Sequence, residues 1–111
     1  MGHRRYKKIR KEKMKLAIIL GTGFESEDKY TVLRLAEAAL NQGHQVSIFI
    51  TAEGCYAASE LAGLADKGAL LICCAKNMEA RGLPELPKVH GSTQYACASI
   101  VAESDRTVAF V

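Results

Sequence analysis

The chain has 111 residues, enough for one domain with a single core, and its 49% apolar and 24% charged side chains are those of an ordinary globular protein. No apolar run approaches the ~20 residues that cross a bilayer, so no membrane partner is expected. The net charge of +3 conceals a division: residues 1–13 carry seven basic side chains against Glu12, net +6, and residues 14–111 are net −3.

The basic block is not the start of a secretory signal. The apolar run that follows it, Leu16-Ala17-Ile18-Ile19-Leu20, is short and breaks at Gly21-Thr22-Gly23, with acidic residues next and no small-residue cleavage site. A like-charge block either meets the phosphates of nucleic acid or stays a solvated, disordered leader. The leader is the preferred reading, and nucleic acid is not expected as a partner.

From Lys15 onward the chain alternates. Lys15 to Leu20 reads as a first strand. The loop Gly21-Thr22-Gly23-Phe24-Glu25-Ser26-Glu27-Asp28 is neither a dinucleotide fingerprint nor a P-loop, and its acidic residues would repel phosphate. It reads as a turn into a helix over about residues 28–42, with Ser26 as a candidate cap and Gly43 as the stop. Val32, Leu33, Ala36, Ala39 and Leu40 supply the helical apolar spacing. A second strand runs from Gln45 to Thr51, and a second helix is expected over roughly residues 57–66. Ala69 to Cys73 reads as the third strand, followed by a short helical segment closed by Arg81-Gly82. Residues 84–91 form a loop with a short strand near Val89. A last helix carries Ala96, Cys97, Ile100 and Val101 on one stripe, before a final strand from Thr107 to Val111.

Strands separated by ten to fifteen helical residues demand crossover connections and a mostly parallel sheet. Strands that are apolar throughout, without alternation, imply that both sheet faces are covered. The expectation is an α/β, three-layer α/β/α sandwich with four or five strands, forming a single domain over residues 14–111 behind the leader of residues 1–13.

Chemistry in such a domain gathers at the carboxyl ends of the strands. Cys74 stands where the third strand gives way to a helix, near backbone N–H groups that favour a thiolate, and it is the candidate reactive residue. On this reading its thiol is the most exposed of the four and the first to be alkylated. Arg81 falls two helical turns further on, ~10 Å along the axis, where it would meet an anion or a partner. Cys73 and Cys97 read as small buried apolar side chains. Cys55 follows the second strand and is either a resolving thiol at the same rim or a plain loop residue. His90 is either a solvent-facing loop residue or a polar group near the rim, and His44 belongs to a helix-to-strand turn. Metal binding is a poor reading: Cys73-Cys74 lacks the Cys-x2-Cys spacing, and His3, His44 and His90 are not in ligand spacing. Four cysteines without an export signal suit thiols in a reducing, cytoplasmic compartment.

The Gly-rich acidic loop after the first strand, the helix ending Gly43-His44-Gln45-Val46, the Cys-x6-Arg-Gly element from Cys74 to Gly82, and Ser104-Asp105-Arg106 before the last strand together resemble the DsrE/DsrF-like family over residues 14–111. The resemblance implies a three-layer α/β domain that assembles into a homo-oligomer. It also implies that Cys74 carries sulfane sulfur as a persulfide, received from a donor protein and passed to an acceptor, with no cofactor. Cys73 and Cys55 are additions that the family pattern does not assign. A different class of function stays open beside this one: a non-catalytic binding or assembly module built on the same rim.

Overall fold

The aliphatic runs read from the sequence become five parallel strands. The computed structural model describes residues 13–23 and 25–111; the basic leader up to Glu12, with His3, and Phe24 of the Gly-rich loop lie outside these. Strands β1 (Lys15–Leu20), β2 (Gln45–Ile50), β3 (Leu70–Cys74), β4 (His90–Ser92) and β5 (Arg106–Phe110) form one sheet in the order β4-β3-β2-β1-β5. Every neighbouring pair is parallel, with Ile18 opposite both Ile48 and Val108, and Phe49 opposite Ile72. Helix α1 (Asp28–Asn41) links β1 to β2, α3 (Ala75–Ala80) follows β3, and α4 (Gln94–Glu103) precedes β5. No helix among the described residues is long and apolar enough to cross a membrane.

Both faces of the central strands are buried, which is why their sequences do not alternate. On one face, Ile18, Leu20, Ile48, Ile50, Leu71 and Cys73 pack with Val32, Ala36 and Ala39 of α1 and with Leu61 and Leu64. On the other, Ala17, Phe49 and Cys74 pack under Ile100 of α4, with Ile72, Ala96 and Cys97 at the margin. Fully burying side chains such as Phe49 or Ile48 stabilises the fold by ~1.5–3 kcal/mol each. Among the described residues the second layer rests on α4 alone. Leu70 and Val101 therefore stay substantially exposed, although Val101 was expected on the buried stripe.

The helix expected over residues 57–66 is not one regular helix. It winds as a 3-10 turn (Ala52–Ala57), a single α-turn α2 (Ala58–Leu61) and a second 3-10 turn (Ala62–Lys67). Apolar residues three apart, Leu61 and Leu64, satisfy either winding, and a connection this short between adjacent strands favours the tighter one.

The polar punctuation does what its residue types allow. Ser26 Oγ accepts from the backbone N–H of Asp28 at 3.0 Å, and Thr22 donates to the Asp28 carboxylate at 2.8 Å. His44 Nδ1 accepts from Met14 N at 3.1 Å. Asp105 binds both backbone groups of Lys15: its carboxylate accepts from Lys15 N and its N–H donates to Lys15 O, each at 2.8 Å. The Ser-Asp element thus sets the register between β1 and β5.

Candidate functional site at the cysteine rim

Three of the four cysteines converge at the carboxyl edge of the sheet. Cys73 and Cys74 are the last two residues of β3, and strand alternation sends their side chains to opposite faces: Cys73 into the larger cluster, Cys74 under α4. Cys55 lies on the 3-10 turn that leaves β2, the neighbour of β3. All three are buried, and all four cysteines are free thiols.

The position of Cys55 depends on its neighbour Gly54. A Cβ there would stand 2.3 Å from the carbonyl oxygen of Leu20, so only glycine lets the turn pass against the end of β1. The turn begins at Ala52 with φ of +50°, a left-handed conformation that strains a residue with a Cβ. Asn77 holds that strained peptide in place. Its Oδ1 accepts from Ala52 N at 2.7 Å and from Thr51 Oγ1 at 2.8 Å. Gln94, the first residue of α4, donates to the same Thr51 hydroxyl at 3.0 Å. One carboxamide therefore ties the end of β2 to α3, and Thr51 ties both to α4. Sequence reasoning passed over Asn77, whose only local signal is a polar residue three positions after Cys74.

Arg81 caps α3, and Gly82 with φ of +66° turns the chain away. The guanidinium reaches back to Asn77 O at 3.2 Å and across to the Glu53 carboxylate at 3.5 Å. Its Nε is buried without a hydrogen-bond partner among the described residues. It thus faces the Cys55 turn, where its charge is felt at the thiol.

Burial pushes the Cys55 thiol up to about 11, with Cys73 adding to the rise, Arg81 opposing it, and Cys74 and Glu53 adding smaller increments. Burial likewise raises Cys73, helped by Cys74 and Glu85, and it raises Cys97. Each of these thiols holds its proton more firmly in the folded chain than in the unfolded one, where the ordinary value is 9.0. The corresponding stability is whole below about pH 9 and is lost as pH rises through the folded values. The thermal midpoint is therefore expected to fall between about pH 9 and 11, and to fall less in Cys55→Ser. Equal slopes in the two proteins would remove Cys55 as the cause.

The exposure expected of Cys74 is not met within one chain. It is 5% exposed because α4 closes over it, and Cys97 on that helix is the more accessible thiol. His90 opens β4 in place of sitting in a loop, opposite Ile72, and is exposed. It shares a cleft with Cys73, not with Cys74. The structure therefore joins Cys55, Cys73, Cys74 and Arg81 at one rim, with His90 lining the cleft beside Cys73. Among the described residues, no group of three His, Cys, Asp or Glu side chains is placed to hold a metal ion.

The profile of the DsrE/DsrF-like family matches residues 14–110. The uncharacterized protein MJ0989 of Methanocaldococcus jannaschii is 30% identical over 114 residues, covering 87% of this chain and 100% of that protein. The crystal structure of YchN from E. coli is similar with a TM-score of 0.75 at 20% identity, covering 89% of this chain and 100% of that one. BT1422, a conserved protein of unknown function from Bacteroides thetaiotaomicron, gives 0.72 at 12% identity, covering 86% of this chain and 94% of that one. The two structures establish likeness of fold.

Proposed function

Because the chain belongs to the DsrE/DsrF-like family, with a match spanning residues 14–110, we propose that it is a sulfur carrier that holds sulfane sulfur as a persulfide on Cys74. The observation that supports this reading is the place of Cys74 as the last residue of β3 and the cap of α3, at the strand end where Cys55 and Arg81 also gather. Loading is thiol exchange at sulfur. The Cys74 thiolate attacks the terminal sulfur of a donor protein's persulfide, the donor's S–S bond breaks, and the donor leaves as a thiolate. Delivery to an acceptor protein reverses those roles. Both steps conserve electrons and need no cofactor. Since Cys74 is buried, loading proceeds through local opening of the layer formed by Ala96, Cys97 and Ile100.

Mass spectrometry after incubation with a sulfane-sulfur donor tests the proposal. An adduct of about 32 Da on the Cys74 peptide, removed by reduction, is the expected result. An unmodified Cys74 would sink it.

Carriage is proposed to occur in a homo-oligomer in a reducing, cytoplasmic setting. Among the described residues one helix covers the second sheet face, and β5 is an edge strand with no buried residue. Leu70, Val101 and Tyr95 stand exposed, Tyr95 at 84%. Light scattering is expected to give a multiple of the 12.0 kDa chain mass at micromolar concentration; the mass of a single chain throughout that range would count against assembly.

A further inference from the structure

We propose that the cleft between α3 and β4 is a binding site for a small organic cation with an apolar body, seated over the thiol of Cys73. The cleft encloses about 550 Å³, within the span of small-molecule sites. Its floor is Cys73 and Met78, and its walls are Leu83, Leu86 and Val89. Cys73, Met78 and Val89 are all more than nine-tenths buried, so the floor is held by the core. The mouth is polar: Glu79, Glu85 and His90 line it, and all three are exposed.

Among the described residues, Glu37, Glu53, Glu60 and Asp66 each have a cationic partner, whereas Glu79 and Glu85 have none. Of the cations near them in the sequence, Arg81 is committed to Glu53 and Lys88 to Asp66, while Lys76, one turn before Glu79 on α3, does not line the cleft. Two carboxylates without an ion pair among the described residues, over an apolar floor, select a ligand with an ammonium or amidinium group at one end and hydrocarbon or sulfur at the other. The Glu85 charge reaches the floor, since it is one of the influences that raise the Cys73 thiol.

The site goes beyond sulfur carriage by Cys74, which lies on the other face of the sheet. Its test uses Cys73 as a trap. The Cys73 thiolate attacks one sulfur of a symmetrical disulfide probe, half of the probe stays as a mixed disulfide, and the other half leaves as a thiolate. No further oxidant is involved. The full chain is incubated at about pH 8.5, near the ordinary thiol pKa, with cystamine, bis(2-hydroxyethyl) disulfide or dithiodiglycolate, and the modified cysteine is located by peptide mass mapping.

The expected order at Cys73 is cationic, then neutral, then anionic, with about a tenfold preference for cystamine over the neutral probe, as two nearby carboxylates would impose. In Glu79→Gln/Glu85→Gln the preference is expected to collapse toward unity, while sulfane-sulfur loading at Cys74 is unchanged. An unlabelled Cys73, equal rates for the three probes, or a preference that survives in the double variant overturns the site. None of those outcomes bears on Cys74, whose loading is read separately on its own peptide.

Discussion

Cys74→Ser is expected to leave the chain folded and to abolish its capacity to carry sulfane sulfur. Serine is nearly isosteric with cysteine but forms no persulfide, so the variant removes the acceptor atom and little else. The site is buried among Ala17, Phe49 and Ile100, and a hydroxyl there without a partner costs about 1–3 kcal/mol. A lowered thermal midpoint with retained cooperativity is therefore expected beside the lost adduct. Cys55→Ser and Cys73→Ser should still load. Cys55 holds its proton up to about 11, and Cys73 points to the opposite face. Sulfur accepted by the Cys74→Ser chain through either of these thiols would move the carrier role to that residue.

The largest stability effect is expected from Gly54→Ala. The new Cβ would lie 2.3 Å from Leu20 O and 2.8 Å from Leu20 C, both main-chain atoms. That carbonyl cannot retreat freely, because it accepts from Thr51 N at 2.9 Å and belongs to a strand paired on both sides. Overpacking commonly costs 1–3 kcal/mol where side chains can give, and a clash with fixed backbone should reach about 3 kcal/mol or more. For a domain of this size that is a fall of roughly 10–20 °C in thermal midpoint. A midpoint within a degree or two of the parent would show that the turn carrying Cys55 is not pressed against β1.

The sheet was legible because its evidence is local. Ala17-Ile18 and Ile48-Phe49-Ile50 are apolar at consecutive positions, and only strands covered on both faces tolerate that. The convergence of Cys55 and Cys74 followed from the same logic, since parallel strands bring their carboxyl ends to one edge. What stayed hidden depends on distant partners. Asn77 acts on Thr51 and Ala52, about 25 positions earlier, and Asp105 on Lys15, 90 positions earlier. The burial of Cys74 is imposed by α4, which begins twenty residues after it, and no pattern around Cys74 announces that cover. The tight winding over Ala62–Lys67 was missed because Leu61 and Leu64, three apart, suit both kinds of helix.

If Cys74 carries sulfur as proposed, its adjacency to Cys73 on the opposite face bears on how long the sulfur would be kept. A persulfide next to a free thiol is ordinarily short-lived, because the neighbour attacks it, closes a disulfide and expels hydrogen sulfide. Consecutive Cα atoms lie ~3.8 Å apart across a trans peptide, less than the ~4.4 Å at which disulfides usually begin. In an extended strand the two sulfurs also diverge. On that proposal the pleat of β3 would act as a partition, keeping a sulfurated Cys74 from being discharged by the residue to which it is covalently joined.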